Sequence, residues 1–407
     1  MSRHALRLPV CSLVFLALGA CSSDQGQAPQ VAASLTVFPA AFDVPLNGSA
    51  LMSVTAYDSK GGTILTPIIA FKSSNPAIAT VSGAGLVTGK GVGYDTVTAV
   101  SGSASATAIV AVVTHPAGTA AGAPSVGSRP FGVAISATGV ALVSRQDLPY
   151  LQRSVLPDSS FPDSILVGTD PNDIAFTGTG DTAYVTNQAG GTVGIIDVAS
   201  KQMVDTIPIN GTTYGAPYRV RIGTDDGHIY VSTGGGWVLE ISTATDSITQ
   251  KWPLSGYPVN GLAFRPDGTI LYATSTGGGL FEITPSTGLV RGEATGETLQ
   301  DIAVSLASDE LWIAVAGGDV LVLNAATGAL VTTVTGATDA FGLTRSPDGT
   351  KFYASVPTAG NLIVIDHASR SVSGTLGVGG TPRRIAFNRF GTEALVANEG
   401  NYISVVQ

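Results

Sequence analysis

Cysteine, histidine, methionine and tryptophan are all scarce in this 407-residue chain, with two, four, three and three copies. Both cysteines, Cys11 and Cys21, fall in the first 21 residues, so the rest of the chain carries neither a disulfide nor thiolate chemistry. His4 sits near the start, and His115, His228 and His367 are far apart on a joint and on hairpin turns. Solvated turn histidines build neither a metal cluster nor a base beside a nucleophile, so no catalytic group, metal or cofactor is expected. Charge is also sparse. Only 12% of residues are Asp, Glu, Lys or Arg, and the net charge is −9. With no basic stripe, nucleic acid is not an expected partner. The calcium-loop spacing D-x-D-x-D-G is missing, and "TDDGH" (224–228) reads as a hairpin turn. "STGGGW" (232–237) and "STGGGL" (275–280) are glycine-rich, but neither leads into a helix with Lys, which a phosphate loop requires.

What is plentiful is Gly, with 51 copies, alongside a hydrophobic content of 44%. Low charge with abundant Gly, Thr, Ser, Val and Ala points to stacked β-strands and tight turns. The N-terminus is different. Arg3 and Arg7 precede the apolar run "LPVCSLVFLALGA" (8–20), which is too short to span a bilayer as a stable helix. The run ends in Leu18-Gly19-Ala20-Cys21, then Ser22, Ser23 and a polar stretch. This ending resembles the lipobox of bacterial lipoprotein signal peptides. The resemblance implies a signal peptide at 1–20, lipidation of Cys21, a tether at 21–31 and, from Ser after the Cys, the outer membrane of the cell envelope.

Short alternating strands separated by turn signals run from about 32 to 113 and indicate a β-sandwich. Within them, "FKSSNPAIATVSGAGLVTGKGVGYDTVTAV" (71–100) resembles the bacterial immunoglobulin-like domain, group 2, with Phe71 where that family more often has Trp. Such domains serve as spacers or adhesive modules. A Pro/Ala/Gly-rich joint follows, with the linker placed at 114–120.

From 121 to 407 the period changes. Apolar triplets centred on Ala134, Ala175, Arg221, Ala263, Ala303, Thr344 and Ala386 recur at intervals of 41, 46, 42, 40, 41 and 42 residues. Each unit holds a strand, a tight turn, a second strand such as "TAYVTN" (182–187), a glycine-rich loop, a third strand and a fourth. Four strands in about 40 residues is a propeller blade. The spelling "PNDIAF…YVTN…GTV…IIDV" is similar to the YVTN β-propeller repeat of bacterial and archaeal surface proteins. The expected fold class is therefore all-β, an immunoglobulin-like β-sandwich followed by a seven-bladed β-propeller. The last unit runs out after its third strand, "YISVVQ" (402–407), so the chain entering the ring near 120–126 is expected to supply the missing strand.

In a propeller, loops before the first strand and after the second gather on one face around the channel. That position nominates Arg129, Arg145, Asn187, Arg219, Asn260, Asp301, Asp339, Arg383 and Asn398 as a binding rim, with Asp147, Arg384 and Glu399 beside them. Converging arginines can hold an anionic or glycan ligand, or a partner protein's carboxylates. Three readings follow. The first is a non-enzymatic, monomeric, lipid-anchored envelope protein whose propeller binds or scaffolds. The second is a propeller lactonase or lyase with a metal in the channel. The third is a periplasmic partner of a redox or secretion complex.

Overall fold

Thr186, in the "YVTN" word, shows how the sequence builds the ring. Its hydroxyl accepts the Asp173 N–H of its own sheet (3.0 Å) and donates to the Tyr218 carbonyl of the next (3.0 Å). The repeat places Ser144, Ser232 and Ser355 at the equivalent site, and each makes the same bridge. Ser144 joins Gly132 N–H to Asn172 O, Ser232 joins Arg219 N–H to Val259 O, and Ser355 joins Gly342 N–H to Arg383 O. A small hydroxyl at the penultimate position of the second strand thus fastens neighbouring sheets, and buried polar groups find partners at the same time. The asparagine of the word also works locally. Asn187 accepts the Gly168 N–H at 3.1 Å and donates to Thr192 Oγ1 at 3.1 Å.

The computed structural model describes residues 30–209 and 211–407. Seven four-stranded antiparallel sheets form the propeller. Their inner strands are Pro130–Ile135, Pro171–Phe176, Pro217–Ile222, Val259–Phe264, Leu299–Val304, Leu343–Arg345 and Pro382–Phe387. The long 46-residue interval holds a short helix, Gly211–Tyr214, between the second and third blades. Seven apolar clusters fill the interfaces between neighbouring blades. Leu142, Ile165, Ile174 and Val185, for example, join the first blade to the second. The cluster containing Val133, Val143, Leu395 and Ile403 joins the seventh back to the first.

The seventh sheet is composite. Its inner three strands are Pro382–Phe387, Ala394–Asn398 and Tyr402–Val406, and its outer strand is Ala120–Gly122 from before the first blade. Ala120 pairs with Val406 and Gly122 with Val405. Reciprocal bonds between Thr119 and Gln407 (2.9 Å each way) and from Ile403 N–H to Pro124 O (3.0 Å) extend the closure.

The immunoglobulin-like region consists of a four-stranded sheet, a three-stranded sheet and a two-stranded pair. In the largest, Ala41–Pro45 runs parallel to Ala104–Val113, which pairs with Gly93–Ser101 and then Ala70–Ser73. Alternate residues of Gly93–Ser101 are buried, as a half-covered strand requires. Val44, Met52, Val87, Val97, Val110 and Val112 form the core. The "SSN" of the family word wraps buried Asp95. Ser73, Ser74 and the Asn75 N–H all donate to its carboxylate, at 2.7, 2.6 and 2.8 Å.

This region is docked against the propeller rather than strung beside it. Arg389 forms a bidentate pair with Asp43, and Tyr94 meets Phe390 edge-on at 5.0 Å. The Thr114 N–H donates to Phe390 O at 2.8 Å. The joint itself is pinned. His115 Nδ1 lies 2.7 Å from Asp348 Oδ2, and Tyr353 donates to Pro116 O at 3.3 Å. His115 and His367 thus differ from the solvated turn residues expected, since His367 contacts Glu310 (3.2 Å) and the rings of Trp312 and Phe352.

Two outcomes test this architecture. Deleting residues 116–123 removes the closing strand and lowers propeller stability by about 2–4 kcal/mol, from several hydrogen bonds at about 1 kcal/mol each, read in denaturant unfolding. Burial acts to raise the Asp348 carboxyl, but bonds from His115, Ser346 and the Thr350 N–H outweigh it and hold the carboxyl at about 2. Its contribution is therefore complete above the unfolded value near 4 and is lost as pH falls towards 2. The stability gap between the native chain and Asp348→Asn should shrink over that window.

Candidate functional site

Counting inward from each repeat centre puts particular side chains at particular depths of the channel. Two residues before the centres stand Gly132, Asp173, Arg219, Gly261, Asp301, Gly342 and Arg384. Both positions of the repeat face the channel, because alternate residues of a strand share a face. The four charged members form one buried chain of ion pairs. Arg219 lies 3.2 Å from Asp173 and 3.1 Å from Asp301, and Arg384 lies 2.6 Å from Asp301. Arg221, at the centre of its own repeat, adds a 2.8 Å bond to the second oxygen of Asp173. Asp301 also accepts the Leu343 N–H, and Asp173 the Val220 N–H, both at 3.1 Å. Where glycine takes this register, the reason is space. A Cβ at Gly132 would collide with Asn172 O, and one at Gly342 with Arg383 O.

Asp173, Arg219, Asp301 and Arg384 are all under 5% exposed. Desolvation alone would raise the Asp173 carboxyl, but the Arg219, Arg221 and Arg384 charges more than reverse it and hold it below the usual range. For Arg221 and Arg384 the balance goes the other way. Burial and the neighbouring Arg219 charge both push their values down.

One residue further out lies an amide and aromatic layer. Asn260 donates to Gln300 at 3.0 Å and Asn172 to Gln188 at 2.9 Å. Phe131 and Phe341 meet at 5.6 Å, with the Arg383 guanidinium 4.6 Å from the Phe341 ring centre. Arg383 is also tied to Glu399 at 2.9 Å. On the other side of the ion pairs the repeat centres are mostly alanine, and a cavity of about 290 Å³ opens there. Ala134, Thr344 and Ala386 line it, and the five charged residues form its floor. It extends to Ile135 and Phe387, the strand ends that lead into the first hairpin turns.

The structure divides the expected rim. Arg129 is exposed and bonds Gln146 at 3.1 Å, and Arg145 donates to Ser128 O at 3.4 Å. Asp339 accepts the Gly317 N–H at 3.1 Å. These, with Arg383, stay near the loop face. Arg219 and Asp301 are instead buried in the channel, Asn260 is committed to Gln300, and Asn187 and Asn398 are fully buried turn anchors. Asn398 holds the Thr381 N–H and donates to Gly379 O, both at 2.7 Å. Loop-position reasoning misplaces these five because all are buried, where polar groups must find protein partners. Asp173 and Arg221 were missed, although Asp173 shares the register of Arg219 and Asp301, and Arg221 is the one charged residue among the repeat centres. Cys21 lies outside the described residues. Among the described residues, no three His, Cys, Asp or Glu side chains group closely enough to hold a metal ion.

Comparison with known proteins agrees with the two-part fold. Residues 34–112 match the family model for the bacterial Ig-like domain (group 2). No curated protein matches the chain. Among solved structures, the hydrazine synthase of Kuenenia stuttgartiensis is similar over 70% of this chain and 97% of that one, with TM-score 0.64 and 16% identity. At that identity the likeness is one of fold.

Removing one partner of a buried ion pair strands the other. Asp301→Asn leaves Arg219 and Arg384 short of charge and should cost about 3–5 kcal/mol. Arg129→Gln, at an exposed position, should stay within about 0.5 kcal/mol. Paired thermal and urea unfolding of the two variants checks the contrast.

Proposed function

We propose that this chain is a non-enzymatic cell-envelope protein, held to the outer membrane through a lipid on Cys21, whose propeller is a binding and scaffolding module. The observation that carries this reading is the use made of the channel carboxylates. A channel hydrolase or lyase needs free acidic donors for a metal or for proton transfer. Asp173 and Asp301 are each held by two guanidiniums and a backbone N–H. Of the acidic residues nearer the rim, Glu399 is bound to Arg383, Asp339 accepts the Gly317 N–H and Asp147 accepts from Ser128.

Group 2 Ig-like domains occur in bacterial surface and envelope proteins, which supports the location. Among the described residues no helix is long and apolar enough to cross a membrane, and a lipid supplies the attachment in this reading. The docked immunoglobulin-like region then holds the propeller at a fixed attitude to itself instead of letting it swing on a loose linker. Exposed Arg129 and the Arg145 loop remain for a protein or glycan partner on the outer face.

Cys21→Ser should lose metabolic palmitate labelling and move from the membrane to the soluble fraction. Continued labelling would overturn the anchor. Metal analysis of the purified full chain should find no divalent ion at one per molecule, and a stoichiometric one would overturn the non-enzymatic reading.

A further inference from the structure

Three guanidiniums share two carboxylates at the floor of the channel cavity, which leaves one positive charge in excess inside a chain whose net charge is −9. An uncompensated charge removed from water is costly, and such groups normally find a counter-charge. The hydrogen bonding is incomplete in the same place. The Nε groups of Arg219 and Arg384 are buried and find no acceptor among the described residues. Arg221 uses its Nε on the Leu262 carbonyl and one terminal nitrogen on Asp173 and the Val220 carbonyl. Its side chain is 29% exposed, against 3–5% for the other four, so it is the most exposed member of the cluster towards the open cavity.

The cavity lies on the hairpin-turn side of the ion pairs. The aromatic and amide layer of Phe131, Phe341, Arg383, Asn172 and Asn260 caps the loop face, while small side chains keep the hairpin-turn face open. We propose that this cup binds the oxyanion group of a small molecule, a carboxylate or phosphate, which enters from the hairpin-turn face and docks on Arg221 and Arg384. Planar guanidiniums offer paired N–H donors that match such groups. About 290 Å³ suits a compact, polar group. The site is on the face opposite the rim and does not depend on lipidation, so it stands or falls apart from the envelope reading.

Arg221→Met is the informative variant. It leaves Arg219 and Arg384 balanced against Asp173 and Asp301, so the fold should persist with an unchanged circular-dichroism spectrum. Calorimetric titration of the full chain with inorganic phosphate and, separately, with acetate is compared with sodium chloride at equal ionic strength. At least one oxyanion should bind and raise the melting temperature above the chloride control, and Arg221→Met should weaken that binding at least about tenfold. The stronger of the two probes identifies the group preferred. Oxyanions that act no differently from chloride, an adventitious ion only, would overturn the proposal. So would undiminished binding by folded Arg221→Met. If Arg221→Met unfolds, Arg221→Lys keeps the charge without the planar fork, and unchanged affinity there overturns the docking geometry.

Discussion

Closure of the ring is the constraint on which the rest of the molecule depends. Seven sheets packed face to face return to their starting point, and the last can be completed only by a strand from outside its own repeat. Ala120–Gly122 supplies it. That short pairing seats Leu395 and Ile403 against Val133 and Val143, so the first and seventh blades share a core as the others do. It also removes the open edge that an incomplete final blade would present. Because the closing strand comes directly after the joint, the same contact fixes the start of the propeller beside the immunoglobulin-like region. The His115–Asp348 and Asp43–Arg389 pairs then have a rigid surface to meet.

Once the ring is closed, its inner strands converge on an axis that must be filled. Most propeller positions solve this with small residues, here the alanines of the repeat centres. The charged layer solves it differently. Arg219 joins the second blade to the fifth, and Arg384 joins the fifth to the seventh, through two carboxylates. Buried ion pairs add little net stability, but they penalise any arrangement that separates the partners. A register slip in one inner strand would leave a charge unpaired. The network therefore favours one assembly of blades whose sequences are otherwise nearly interchangeable, and its odd arginine gives the channel its electrostatic sign.

The two faces of the propeller consequently differ. One is capped by Phe131 and Phe341, which meet edge-on, with Arg383 over the Phe341 ring, and carries the exposed Arg129. The other is the open end of the charged cup, and the blade-seven turn that holds Tyr94 and Asp43 of the immunoglobulin-like region lies on it. The domain usually thought of as a spacer thus stands next to the mouth of the cavity.

Sequence alone was enough for the architecture. The interval between repeat centres, the four-strand plan within each interval and the truncated last unit specify seven blades and a borrowed strand, because β-strand alternation and turn chemistry are local properties. The group 2 immunoglobulin-like words were equally legible, since each encodes a local device such as the serine wrap around Asp95. The channel was not. Asn187 and Asn398 resemble rim residues in the sequence, yet the turns consume them. Arg219 and Asp301 resemble exposed charges, yet they pair with each other over 82 residues of chain. Whether a polar side chain faces water or a partner depends on which distant strands close around it, and only the assembled ring brings those strands to one axis.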